Sequence, residues 1–488
     1  MRHGELLIDG HFLGGPCDQA IPKSVVTSPF DGSTVGTVAD CDARHFDWAV
    51  DAAVHSFLRW RHSALEERRS LLRRIAERVR ADREDLAQLL VHEVGKPILW
   101  AQAEVDRTAT TFELAAHALD DPHYRPGGHE LDAIPYAELD RRAANYRAGV
   151  RREPLGPVLA ITPYNWPFNL AAHKIAPALA VGATVVLKGS SQAALSTLAL
   201  GRHIHECGCP SGVLNAVAAD GETTSAFVAD PRFGLVSFTG SPSVGWAIRR
   251  QVIDKPVLLE LGGDGFAVIH GDADLDRAVE RVVWGGFGYA GQICIAVQHV
   301  LVEASVYDEV RERLIRATQD CPYGDPGDVH TVCGPLISES AANKVQEWTD
   351  EAVAFGAKLL VGGTRSGAMI APTLIENVPK AARLYRNEVF GPVITLQAYT
   401  STSGAIDRIN TSPYGIHLGV FTQDENVVTA FDDGTLMGGV VWNDVPTVRF
   451  DALPYGGRGQ SGVGREGIPW SLEEFTALRT LVKYQPPV

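Results

Sequence analysis

Apolar positions in the first hundred residues recur at steps of three and four. Phe46, Val50, Ala53 and Phe57 form one series, Leu71, Ile75 and Val79 a second, and Leu86, Leu89 and Leu90 a third that runs to Glu93. Such spacing keeps apolar side chains on one face of a helix, so the first third is predicted to open helical. The last series ends at "EVGKP", where Gly95 and Pro97 give a helix stop. From Gly127 to Pro154 the chain turns polar with weak alternation, which suits a hairpin projecting from the body better than a core element.

After Gly156 short apolar runs alternate with longer amphipathic stretches: "PVLAITP", "FNLAAHKIAPALAVG", "ATVVLK", "GVLNAV", "GLVSFTG" and "PVLLELGG". This rhythm predicts βαβ units and a parallel sheet covered on both faces, an α/β fold. Nucleotides bind such sheets at the carboxyl ends of the strands, beside helix N-termini. A second alternating region spans Gly265 to Val441, and the tail "RTLVKYQPPV" reads as one more strand that pairs with the hairpin.

Composition narrows the partners. The 488 residues exceed what one core usually serves. The net charge of −15, from 44 basic and 59 acidic residues, argues against nucleic acid or an anionic membrane as a main partner. The N-terminus "MRHGELLIDGHFLGG" carries no apolar leader, and no apolar run reaches the roughly 18 residues of a membrane span. Seven scattered cysteines suit reduced thiols and a cytoplasmic location.

Several short stretches carry candidate chemistry, each with a structural alternative. Cys294, between Ile293 and Ile295, is a core thiol or a nucleophile. In "ITPYNWPFN", Asn165 follows a strand end; it caps a turn or aims its amide at an oxyanion. Glu260 closes an apolar strand before a glycine turn, where a carboxylate is either salt-bridged or used. Ser241 in "FTGSPSVG" caps a helix or, with the first helical N–H groups, receives a phosphate. "GVGREG", Gly462 to Gly467, has the G-x-G-x-x-G letters but neither the strand before nor the βαβ unit after, and is read as a loop. "HIHECGC" has metal-ligand types at a spacing poor for one helix, so no metal is expected.

Taken together and in order, "PYNWP", "VLKGSS", "FTGSPSVG", "LELGG", "GQICIA", "EVFGPV" and "PYGGRGQSGVGREG" resemble the aldehyde dehydrogenase superfamily across essentially the whole chain. The resemblance implies a Rossmann-type cofactor domain (1–126 and 153–258), an α/β catalytic domain (259–445), and an oligomerisation hairpin and tail strand (127–152 and 470–488) that assemble a homodimer or homotetramer. It implies Cys294 as nucleophile, Glu260 as general base, and Asn165 with the Cys294 backbone N–H as oxyanion hole. NAD or NADP would lie against Thr162, Pro163, Tyr164, Lys188, Ser191, Gly221, Ser241, Val244, Leu261, Glu388 and Phe390. Trp166, Leu170, His173, Ile293, Ile295 and Arg449 would meet the aldehyde.

Two departures stand out. Asp264 replaces the lysine usual after "ELGG", and Ser191 replaces a glutamate that would repel a 2′-phosphate, so NADP is expected to be accepted. "AGQICIAVQ" and "PTVRFDALPYGG" look most like the lactaldehyde, sulfolactaldehyde and non-phosphorylating glyceraldehyde-3-phosphate dehydrogenase branch. Arg449 then reads an anionic group on a small aldehyde, or is a surface arginine. A CoA-acylating relative and a non-catalytic protein on the same fold are the competing readings. Glu260 favours water over CoA, because acyl transfer to a thiol needs no such base.

Overall fold

The computed structural model describes residues 2–121, 131–135 and 137–486. Part of the expected hairpin, 127–130 and 136, lies outside them. Five parallel strands form the centre of the first sheet, in the spatial order Leu214–Val217, Val185–Lys188, Val158–Ile161, Leu235–Thr239 and Val257–Glu260. The chain builds outward from Val158–Ile161 on one side, then returns to build on the other. That reversal opens a crevice at the strands' carboxyl ends between Val158–Ile161 and Leu235–Thr239.

The strands are short apolar runs because both faces are covered. One cover is the helix Pro167–Val181, in which every residue is buried. Gly182, with φ of 88°, closes that helix in the left-handed conformation.

The helical opening holds only from Ala43. Helices Ala43–Trp60, Leu65–Ala81, Arg83–Val94 and Ile98–Ala118 follow the periodicity, and Asp42 caps the first by accepting from the Arg44 and His45 amides. Before them lie five strands of three to six residues. Two of these, Leu6–Ile8 and His11–Leu13, extend the first sheet antiparallel.

Gly462–Val463, inside the "GVGREG" loop, closes the sheet's other edge against Leu259 and Glu260. Gly462 has φ of 136°, and a Cβ there would stand 1.9 Å from the Leu259 carbonyl oxygen, so only glycine lets this loop approach.

A second sheet of seven strands carries Gly265–Ile269 and Val297–Glu303 near its centre. The tail strand Thr476–Tyr484 pairs antiparallel with Tyr146–Pro154 along its full length. It begins three residues before the expected "RTLVKYQPPV", directly after the helix Ile468–Glu474. Among the described residues no helix is long and apolar enough to cross a membrane.

Candidate active site and cofactor crevice

Cys294 is presented by a stiff turn. The helix Leu275–Phe287 ends, and Tyr289, Ala290 and Gly291 all take positive φ, at 50°, 54° and 65°. Two non-glycine residues in this region cost of order 1–3 kcal/mol each, so the surroundings must over-determine the turn. Gln292 supplies part of that constraint. Its buried side chain accepts from the Ile337 amide (2.9 Å) and donates to the Pro335 carbonyl (3.2 Å). A Cβ on Gly291 would stand 2.3 Å from the Gly391 carbonyl oxygen.

Asn165 lies in the loop between strand Val158–Ile161 and helix Pro167–Val181. Its Nδ2 donates to the Gln292 carbonyl at 2.8 Å, which leaves the second amide hydrogen for another acceptor. The start of the following helix is pinned from below by the buried carboxylate of Glu104, which accepts from the Phe168 and Asn169 amides (2.8 and 3.2 Å). Glu104 also pairs with buried Lys96, whose Nζ sits 4.0 Å from the centre of the Trp166 ring.

A cavity of about 400 Å³ opens beside Cys294. Of the residues expected to meet substrate, Trp166, Leu170, Ile293, Ile295 and Arg449 line it, together with Asn165. His173 is not among the lining residues. It is buried behind the wall, with Nε2 2.8 Å from Asp451. The helix bearing it is buried on all sides, so periodicity gives no sign of which face meets the cavity. Trp100, Arg107, Trp284 and Tyr455 line the cavity without having been singled out by sequence.

Arg449 is no surface arginine: its side chain is 6% exposed. Its Nη2 donates to Glu466 (3.1 Å) and its Nε lies 3.4 Å from Asp451. Asp451 also takes a forked pair from Arg107 at 2.7 and 3.1 Å. Burial alone would raise the Asp451 carboxyl, yet His173 and Arg107 hold it well below the ordinary carboxylate range. Burial lowers the His173 imidazole, so a neutral ring donates Nε2–H to ionised Asp451.

Glu466, from the discarded "GVGREG" loop, is held down to about 2 against its own burial by Lys174 and Arg449. Glu260 fares the opposite way. Burial, and then the charge of Glu466, push its carboxyl well above the usual range, and its Oε2 has no hydrogen-bond partner. Burial likewise pushes the Cys294 thiol up to about 11, countered by a hydrogen bond with Tyr455 and by Arg449.

The crevice at the sheet's carboxyl end holds the remaining candidates. The Thr162 amide donates to the Lys188 carbonyl (3.1 Å), while its buried Oγ1 has no partner. Tyr164 and Phe390 meet edge to face at 6.2 Å.

Ser241 precedes helix Pro242–Gln251, but its hydroxyl pairs with Ser243 at 3.2 Å and caps no backbone amide. The first-turn N–H groups are therefore left for an anion. Val244, in that first turn, is half exposed, and Gly245 packs so closely on buried Leu261 that a Cβ would stand 2.4 Å from Leu261 Cδ2. Glu388 accepts from the Gly263 amide (3.0 Å), and burial brings its carboxyl up to about 7.

Ser191 and Asp220 line a second hollow of about 350 Å³, next to Gly221, which opens a short helix capped by Asp220. Burial lowers the Lys188 ammonium, with Asp220 as its opposing charge. The open helix start, the orphan Thr162 hydroxyl and the flanking Lys188 and Glu388 fit a dinucleotide stretched along the crevice. Asp264, the charge reversal, is buried and accepts from the Ser412 hydroxyl (2.7 and 2.8 Å), with His299 Nε2 at 3.7 Å.

Comparison with known proteins agrees with this architecture. The chain belongs to the aldehyde dehydrogenase family, whose model matches residues 18–481. It is 36% identical to aspartate-semialdehyde dehydrogenase 1 of Pseudomonas canavaninivorans, over 93% of this chain and 95% of that one. It is likewise 36% identical to the 3-sulfolactaldehyde dehydrogenase of Priestia aryabhattai, over 85% and 86% of the two chains. Its fold matches the crystal structure of an NADP-dependent glyceraldehyde-3-phosphate dehydrogenase from Bacillus halodurans complexed with NADP. The TM-score is 0.94 at 30% identity, covering 100% of each chain. The chain is thus an NAD(P)-dependent aldehyde dehydrogenase.

Proposed function

We propose that this chain oxidises a small, anionic aldehyde to its carboxylate through a thioester on Cys294. The observation that carries the reading is the convergence of Cys294, Asn165 and two guanidinium groups, Arg107 and Arg449, on one cavity. The Cys294 thiolate attacks the carbonyl carbon, and the oxyanion accepts from the free Asn165 amide hydrogen and the Cys294 backbone N–H. Bound NAD or NADP supplies the hydride acceptor. Water then attacks the thioester carbon as deprotonated Glu260 takes its proton, and the C–S bond breaks to release the carboxylate and return the Cys294 thiolate. Ile293, Ile295 and Trp166 keep bulk water from the thiol, which strengthens each of these contacts.

Charge around the cavity supports an anionic substrate. The guanidinium groups of Arg107 and Arg449 line the cavity itself, whereas their carboxylate partners Asp451 and Glu466 do not. Relatives are named for aspartate semialdehyde, 3-sulfolactaldehyde and glyceraldehyde 3-phosphate, each of which bears an anionic group.

Sulfolactaldehyde and glyceraldehyde 3-phosphate are the anionic compounds to test first, with lactaldehyde as their neutral counterpart. Initial rates for a panel of these and plain aliphatic aldehydes, with both cofactors, decide the class; a preference for neutral aldehydes contradicts it. Exposed Val150, Leu478, Val482 and Tyr484 share one side of the paired strands and offer an apolar face for a homodimer or homotetramer.

A further inference from the structure

The hydroxyl of Tyr455 lies 2.9 Å from Cys294 Sγ, and neither the motif reading nor the family comparison assigns it a role. We propose that Tyr455 donates its hydroxyl hydrogen to the Cys294 sulfur and so stabilises the thiolate, making it a catalytic residue that touches the reacting atom. The proposal rests on the reading of Cys294 as nucleophile.

The tyrosine is held for this contact. Its amide donates to the Glu466 carbonyl (2.9 Å) and its carbonyl accepts from the Glu466 amide (2.7 Å), so a two-way backbone bridge fixes its Cα. His417 packs on the ring edge to face at 5.2 Å. The residue is 3% exposed, and a buried phenol needs a partner for its O–H. That partner is the sulfur.

The direction of donation follows from chemistry. A thiol is a weak donor, whereas a hydroxyl pointing at a thiolate forms a charge-assisted bond about twice as strong as a neutral one. The Arg449 guanidinium lies 3.8 Å from the ring centre, over its face, and draws electron density toward itself. The phenol becomes a better donor, and one arginine thereby acts on the thiol through the ring. Burial opposes ionisation of Cys294, so a compensating donor is what the site needs. A phenylalanine at 455 would fill the same space without that donor.

Site-resolved alkylation by iodoacetamide between pH 6 and 10, followed by peptide mass spectrometry, tests this on the full chain. Exposed Cys17 serves as reference and buried Cys333 as a reporter of folding. Tyr455→Phe is expected to raise the apparent pKa of Cys294 by about one unit and to slow its alkylation near pH 8 about tenfold. Cys17 should react as before and Cys333 should stay silent.

Should Cys333 become reactive, 3,5-difluorotyrosine at 455 replaces that variant. This more acidic phenol of similar size should lower the Cys294 pKa. An unchanged profile, or faster alkylation in Tyr455→Phe, overturns the proposal. Alkylation does not depend on turnover, so this failure differs from failure of the nucleophile reading, which would appear as turnover by Cys294→Ser.

Discussion

The Asn165 side-chain amide donates to the Gln292 carbonyl at 2.8 Å, tying the expected oxyanion donor to the turn that carries Cys294 two residues on. Donor and thiol therefore move as one unit, and only the second amide hydrogen of Asn165 faces new work. Asn165→Ala should lower kcat by about 10²–10³-fold. Stopped-flow measurement of the first turnover checks it, and a loss confined to KM would count against the assignment.

Arg107→Ala should cut kcat/KM for anionic aldehydes roughly 10–100-fold, while neutral aldehydes lose less than about threefold. Arg449→Ala should discriminate in the same direction. It also leaves Glu466 short of a partner in a buried site, a change worth about 3–5 kcal/mol of stability. The comparison across substrates is therefore made within each variant. Equal losses for anionic and neutral aldehydes would remove the anion-binding role.

Glu260→Gln should give a burst of about one reduced cofactor per site followed by a stall, with steady-state turnover down about 10²–10⁴-fold. Burial raises the folded Glu260 value, so the carboxyl is protonated at low pH and the base form grows as pH rises. Turnover of the native enzyme should climb with pH, and Glu260→Gln should lose that limb. Rapid-quench mass spectrometry of the acyl-enzyme is the check.

The Asp451 carboxyl is depressed in the folded state. It contributes stability that is fully present above the unfolded aspartate value of about 3.9 and is lost as pH falls through that range toward the folded value. Asp451→Asn should lower stability at pH 7 by about 3–5 kcal/mol. By calorimetry, its deficit in Tm should narrow as the pH is brought below about 4. A deficit that stays constant across that range would exclude the ion-pair explanation.

Ser191 shares its hollow with Asp220, and a glutamate at 191 would add a further carboxylate to repel a 2′-phosphate. Native enzyme should use NADP, and Ser191→Glu should lower kcat/KM for NADP at least about tenfold relative to NAD. A large preference of the native enzyme for NAD would contradict this.

Much of the fold was legible because buried parallel strands are short apolar runs: Val158–Ile161, Val185–Lys188 and Leu235–Thr239 announce themselves. Leu6–Ile8 and His11–Leu13 do not, since three residues are too few to show a period of two. In the site, Asn165 and Cys294 sit in motifs beside strand and helix ends, and those were readable. Arg107 was not, because an arginine on the helix Ile98–Ala118 looks like a solvated face until Asp451 arrives from far along the chain. Glu466 was hidden for a related reason: "GVGREG" has the letters of a fingerprint in the wrong context, and nothing in it points to an ion pair with Arg449. Tyr455 stands in "LPYGG", where nothing local shows that its hydroxyl meets the thiol.

The nucleophile is the centre of the account. Cys294→Ser should bind cofactor as the native enzyme does and form no reduced cofactor, single turnover included, when mixed with saturating aldehyde. Reduced cofactor appearing within about tenfold of the native rate would contradict the assignment of Cys294.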